Sequence, residues 1–443
     1  MWLCNGGEHG QDGNPDQIGD LDRCGSAIDL AGRAGPLRRS TSKVISGFVV
    51  TSAGYAALTT VPTQVNRENS IGKPMNDPIA DSANEHFASN YFEARQRFRD
   101  YVSESAVGEA AAYPSPARGL LGEELSTDVA WFGDRHAPKV GVMVSATHGV
   151  EGYCGSAAQL DWLACRAYEG LNSDEAMLLI HALNPYGFAW DRRVTQEGCD
   201  LNRNFVDFTA TLPHNENYDL LADCLVPREL DGPLFVAAET KIDQFRTAHG
   251  EIAFRKARTA GQYRHPTGMF FGGFGPTVAR QTLERIALDY SIESCLFALV
   301  VDYHTGLGPY GYGELQCEQA SGASGYKRAR CIFGPSVTSP DVGTSSAVVL
   351  NGTQDDYWQR LLGDRHVYVC LEFGTYPPEA ARSALRADHW LYAYRQAEIE
   401  TDIGYQIRRR VKQHFYPERT DWKGMMLYRS RQIQRQMMEG LRR

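Results

Sequence analysis

The sequence predicts an α/β fold: a mixed, mostly parallel twisted sheet flanked by helices on both faces. Three observations predict it. Short, β-branched apolar runs at residues 140–144, 295–303 and 367–371 read as buried strands. Segments with apolar residues at three- and four-residue steps alternate with them and read as helices, an order that covers both faces of a sheet. Several strands also run directly into polar, glycine-containing turns, and ligands of open α/β sheets collect at such carboxyl ends.

The elements follow in order. Residues 1–80 differ from the rest. The first 35 are rich in Gly, Asp and Asn without apolar periodicity, so a poorly ordered extension is expected. A positive segment at 37–43 precedes a mildly apolar stretch at 44–61; export or membrane anchoring through residues 37–61 is the alternative to a cytoplasmic protein, and no stable membrane span is expected. A single catalytic domain is expected over residues 84–443. Phe87, Tyr91, Ala94, Phe98 and Tyr101 mark an amphipathic helix. Strands follow at 129–132 and 140–144, then a helix at 155–168 and a strand at 176–183. Residues 184–205 form a long irregular loop, in which Arg192, Arg193 and Arg203, with Asn202 and Asn204, make an anion-binding surface. Helical pieces fill 213–266. A helix at 277–290, a strand at 295–303, a helix at 356–362 and a strand at 367–371 complete the alternation. Residues 380–443 are helical, and the last, basic stretch reads as a solvated helix.

Composition narrows the function. With 42% apolar residues in 443, a large core is easily filled. The net charge of −9 is spread out, with no basic stripe, which argues against nucleic-acid binding. The ten cysteines form no CxxC pair; Cys295 and Cys370 lie in strand-like runs as buried free thiols, as expected of a reducing compartment.

The chemistry converges on strand ends. His148 and Glu151 stand three residues apart after the strand at 140–144, and His304 ends the strand at 295–303. Imidazole and carboxylate are zinc-type ligands, and three of them leave a position open for catalysis. Glu372 ends the last strand, where partial burial raises a carboxylate's proton affinity. His181 is read as structural, Asp302 as a supporting carboxylate, His366 and His389 as surface or core histidines, and Glu314 and Glu318 as solvated.

Together, His148-Gly149-Val150-Glu151, Asn184-Pro185-Tyr186-Gly187-Phe188, Asp200-Leu201-Asn202-Arg203-Asn204-Phe205, His304 and Glu372 resemble the zinc carboxypeptidase family, the carboxypeptidase A-like metallopeptidases. The wording His-Gly-Val-Glu-Gly at 148–152 is similar to that of a bacterial branch. The resemblance implies an eight-stranded-type sheet and one zinc ion per chain, held by His148, Glu151 and His304. It implies Glu372 as general base toward a zinc-activated water, and Asn202 and Arg203 as the grip on a substrate's free carboxylate. The oxyanion-stabilising arginine is Arg193, with Arg192 as its rival. The activity implied is a metallocarboxypeptidase-like hydrolase that cleaves a peptide (amide) bond next to a free carboxylate. Alternatives are a zinc amidohydrolase acting on small N-acyl amino acids and a catalytically silent ligand-binding protein of the same fold. The family's mobile tyrosine has no counterpart between Lys327 and Asp356, and Asp355 and Asp356 suggest a basic substrate side chain.

Overall fold

The computed structural model describes residues 84–443, so the expectations for residues 1–80 lie outside the described residues. Seven strands form one sheet in the order β1-β2-β4-β3-β5-β7-β6, where eight were expected. They are β1 (Glu109–Arg118), β2 (Glu124–Gly133), β3 (Lys139–Val144), β4 (Glu175–His181), β5 (Phe297–Gly306), β6 (Gly313–Gln316) and β7 (His366–Gly374). The centre, β4-β3-β5-β7, is parallel, whereas β1, β2 and β6 pair antiparallel at the margins. Strand β1 escaped the sequence reading because Ala-Ala-Ala-Tyr-Pro-Ser-Pro is poor strand wording. It is tolerated because β1 is an edge, where proline's missing donor is not needed.

Alternation along the central strands divides their side chains between two cores. Met143, Leu179, Val301, Val369 and Leu371 face the larger core. Helices α1 (Tyr91–Ser105), α2 (Gly152–Ala164) and α11 (Thr420–Leu441) cover that face, through Phe98, Leu160, Ile433 and Met437 among others. Val142, Val144, Leu178, Ile180, Val300 and Tyr368 face the other, covered by α6 (Val278–Asp289) and α8 (Gln354–Leu362) through Leu283, Ile286, Trp358 and Leu362. Strands apolar on both faces are what a parallel sheet between helical layers requires. The remaining helices are α3 (Pro185–Ala189), α4 (Glu216–Leu225), α5 (Gly232–Thr259), α7 (Ser324–Phe333), α9 (Pro378–Tyr394) and α10 (Asp402–Phe415).

Two readings are corrected here. Helix α11 is not solvated: Trp422, Met426, Leu427, Ile433, Met437 and Leu441 are buried, and its basic residues occupy the other face. Glu314 is buried and bonded by the Thr338 hydroxyl and by Ser346, while Glu318 is half-buried and pushed up to about 7, chiefly by burial. His366 and His389 are core residues, and His181 is buried between Phe98, which stacks on it at 4.6 Å, and the Ser156 hydroxyl at 2.9 Å.

Candidate active site

The parallel strands β3, β5 and β7 end on the same side of the sheet, and the candidate residues gather there. After β3 the chain turns through Ala146, at φ 60°, and Gly149, at φ 40°. A Cβ on Gly149 would lie 2.3 Å from the Arg192 carbonyl oxygen and 2.4 Å from the Gly187 carbonyl carbon, so only glycine fits between His148 and Val150. This close approach docks the loop on the 187–193 segment, where the Val150 N–H donates to the Arg192 carbonyl at 2.9 Å. Asn184 shapes the same segment, its Oδ1 accepting from the Gly187 N–H at 2.9 Å and capping α3. Arg193 is thereby carried to Glu151. On the far side, the β5–β7 register sets His304 directly beside Glu372.

The three proposed ligands converge. His148 Nδ1 and His304 Nδ1 are 3.0 Å apart, and Glu151 Oε2 lies 3.3 Å and 3.1 Å from them. All three residues are buried. Each outer ring nitrogen meets a carboxylate: His148 Nε2 is 3.1 Å from Asp200 Oδ1, and His304 Nε2 is 2.8 Å from Asp302 Oδ2. These carboxylates brace both rings from behind and leave the two Nδ1 atoms facing Glu151. The Glu151 carboxylate accepts from Arg193 Nη1 at 2.7 Å and from the Thr305 N–H at 3.1 Å. Burial opposes its ionisation, but His148 and Arg193 outweigh burial and hold it well below the usual carboxylate range. Ligand atoms of a tetrahedral zinc ion with bonds of about 2.0–2.1 Å stand roughly 3.3 Å apart. Two imidazoles and an ionised carboxylate at this spacing, each braced from behind, fit a catalytic-type metal. Cys370 also approaches His304, but burial pushes its thiol up strongly, which disfavours the thiolate that would bind a metal.

A cavity of about 200 Å³ opens beside this cluster, with His148, Arg193, Arg203 and Glu372 in its wall. Glu372 accepts the Leu307 N–H at 2.9 Å. Burial first, and then the charge of Glu151, push its carboxyl up to about 8. Arg193 spans the cluster, with Nε on Asp200 at 3.0 Å and Nη2 2.9 Å from His148 Nε2.

Arg192 does not join these residues. Asp388 binds its guanidinium bidentately at 2.9–3.1 Å and the Tyr392 ring covers it, so the pair is buried away from the cavity wall. Arg203 does reach the wall. Its Nε and Nη2 donate to the Thr259 carbonyl and its Nη1 to that of Asn202, so three of five N–H groups are used and two remain. Asn202 is buried outside the wall, its Oδ1 accepting from the Gln354 N–H at 2.7 Å. Asp355 and Asp356 are likewise elsewhere. The first bonds His366 at 3.0 Å, and the second accepts the Gly352 and Thr353 N–H groups and caps α8. The basic-side-chain expectation therefore loses its footing. Among the described residues, no tyrosine lines the cavity. Sequence reasoning passed over Arg255, Arg258 and Arg382, all in the wall. The first two carried a signal, an i,i+3 pair on one helix face.

Fold and site define an α/β protein with a buried two-histidine, one-carboxylate candidate metal centre at the strands' carboxyl ends. A family model described as "Protein of unknown function (DUF2817)" matches residues 87–429, and the chain belongs to that family. No curated protein matches the sequence. Similar solved structures include a carboxypeptidase A from Helicoverpa armigera, with 14% identity, 77% of this chain and 80% of that chain covered, and a TM-score of 0.41. A putative succinylglutamate desuccinylase/aspartoacylase from Shewanella frigidimarina shows 17% identity over 67% of this chain and 72% of that one, with a TM-score of 0.30. The murein-tripeptide amidase MpaA from Escherichia coli O157 shows 16% identity over 65% and 90%, with a TM-score of 0.29.

Proposed function

We propose that the protein is a zinc-dependent hydrolase that cleaves an amide bond next to a free carboxylate. One observation carries the reading: the His148, Glu151 and His304 donors converge beside a cavity whose wall also holds Glu372 and the spare donors of Arg203. The sequence resemblance to zinc carboxypeptidases supports the same assignment. A zinc ion held by those three residues would polarise a carbonyl and lower the pKa of water to about 7.

The chain's own residues supply the rest. Glu372, oriented by the Leu307 N–H and raised in proton affinity by burial, accepts the proton of the attacking water and delivers it to the leaving nitrogen. Arg203 holds the substrate carboxylate with its two unused N–H groups. Arg193 lines the wall and, although paired with Glu151 and Asp200, can turn a remaining N–H toward the carbonyl oxygen as it becomes negative. Asp200 fixes Arg193 and the His148 ring together.

Within this activity the cavity favours the small-substrate form, a deacylase of N-acyl amino acids. At about 200 Å³, and without a tyrosine in its wall among the described residues, it suits a short acylated amino acid better than a long peptide. The test is zinc content and turnover of the parent and Glu372→Gln on a panel of peptides and N-acyl amino acids. About one zinc per chain in both, with turnover in the parent alone, is expected; the cleaved members of the panel choose between peptidase and deacylase. A zinc-loaded parent that binds panel members and turns over none would replace the hydrolase with the silent binding protein.

A further inference from the structure

The cavity wall is strongly unbalanced in charge. Among the described residues it contains five arginines, Arg193, Arg203, Arg255, Arg258 and Arg382, against a single carboxylate, Glu372. Two of the five are neutralised within the protein. Arg193 bonds Glu151 and Asp200, and Arg382 bonds Glu239 and Glu379 at 2.7–2.9 Å. The others are not. Arg203 has one described carboxylate within 4 Å, Asp200 at 4.0 Å, which already serves His148 and Arg193, and a second, Glu318, acting from beyond that distance.

Arg255 and Arg258 are more exceptional. They stand at i,i+3 on the last turns of α5 and so project to one side of that helix. Arg258 is 9% exposed, and its Nε and Nη1 find no acceptor among the described residues. The buried Nε of Arg255 is likewise unpartnered, and its Nη1 makes one bond of 3.3 Å, to the Ser346 carbonyl. The carboxylates whose charge acts on Arg258 are committed elsewhere. Glu379 is held by Arg382, and Glu251 by Arg246 at 2.7 Å. Burial accordingly pushes the Arg258 guanidinium down to about 10. A buried guanidinium with empty donors carries a desolvation cost that the folded protein alone does not offset.

These two arginines adjoin the carboxylate grip. Arg203 donates twice to the Thr259 carbonyl, and Thr259 directly follows Arg258. A ligand carboxylate on Arg203 therefore lies against the end of α5, with two further guanidiniums lining the same cavity. One anion leaves their donors empty; two do not.

We propose that the leaving part of the substrate is a dicarboxylic amino acid of the aspartate or glutamate type, its α-carboxylate on Arg203 and its side-chain carboxylate on Arg255 and Arg258. The inference rests on the hydrolase reading for the word "leaving", but the subsite itself can be tested by binding alone.

The experiment titrates full-length, zinc-loaded protein with L-glutamate and with the near-isosteric L-glutamine, by calorimetry, for the parent, Arg258→Met and Arg255→Gln. A charge-assisted fork predicts that the parent binds glutamate at least about tenfold more tightly than glutamine. The ratio should fall toward one in both variants. Without ligand, Arg258→Met should melt at or above the parent temperature, because it removes an unpaired buried charge; a structural arginine would give a lower one. A parent ratio within threefold, binding of neither amino acid, or a ratio retained in both variants would overturn the proposal. The two readings separate cleanly. Glutamate preference without turnover of any amide keeps the subsite and removes the hydrolase. Equal turnover of N-acyl glutamine and N-acyl glutamate keeps the hydrolase and removes the subsite.

Discussion

Asp200 is the most informative residue to change, because its two oxygens do incompatible things for an amide. Oδ1 accepts from His148 Nε2 at 3.1 Å and from the Asn202 N–H at 3.1 Å, and Oδ2 accepts from Arg193 Nε at 3.0 Å. In Asp200→Asn, one orientation aims an NH2 group at Arg193, and the other aims it at His148 and the Asn202 N–H. Neither satisfies all three donors. The His148 ring loses the carboxylate that braces it from behind. Losing such a partner typically costs 10–100-fold in metal affinity, or about 1.4–2.8 kcal/mol. Stability without metal should also fall, by about 1–3 kcal/mol, since in either orientation at least one buried group that faced Asp200 is left against an NH2. Zinc affinity read by competition with a chromophoric chelator, beside urea melts in excess chelator, separates the two effects. Asp388→Asn is the control. It damages the equally buried Arg192 pair, so it should lower stability and leave zinc affinity unchanged. Zinc affinity within threefold of the parent in Asp200→Asn would refute the bracing argument.

Other expectations follow from the same geometry. Glu372→Gln should lower kcat by about 10²–10⁴-fold on any substrate the parent cleaves, without loss of zinc by metal analysis. Gly149→Ala should destabilise by about 1–3 kcal/mol in denaturant titrations and lower zinc occupancy, because its Cβ would displace the backbone that seats His148 and Glu151. Glu239 reports on the α5–α9 contact. Burial works against its charge, but hydrogen bonds from Arg382 and Arg386 hold it down at about 2. Because the folded value lies below the ordinary 4.5, its contribution is full above that pH and is lost as pH falls toward 2. With allowance for solvent screening, Glu239→Gln should cost about 1–2 kcal/mol at pH 7, and the gap should close in melts taken near pH 2.

The sequence revealed the central strands and the ligand set because both depend on local wording. A parallel strand buried on both faces is continuous in apolar residues, and its carboxyl end is where polarity abruptly returns. His148, His304 and Glu372 each stand at such a break. What remained hidden depends on partners distant in sequence. Strand β1 is defined by its pairing with β2, not by its own alanines and prolines. The burial of α11 follows from packing on α2 and β3, whereas its composition shows only the basic outer face. Arg192 and Arg193 are indistinguishable as neighbours in a loop; only Asp388, 196 residues away, removes the first from consideration. Arg255 and Arg258 look like any solvated helix positions until the fold turns them inward.

The charge arrangement also constrains how a substrate would lie. Contacts run in series from His148 through Asp200 to Arg203, and from Arg203 through the Thr259 carbonyl to the arginines of α5. Carboxylates of a ligand are attracted to the Arg203 and α5 part of this series. Near His148 the wall offers Glu372 and the already paired Arg193 in place of free guanidiniums, so a ligand carboxylate gains less there. The neutral amide is the group that can occupy that position, which puts the bond to be broken beside the proposed base. Substrate direction is thus set by where the protein leaves arginine charge unneutralised. For a compound with its carboxylates on the acyl side only, both anions would have to approach Glu372. Such a compound should therefore bind weakly and inhibit poorly, whereas an N-acyl dicarboxylic amino acid should compete well in the same assay.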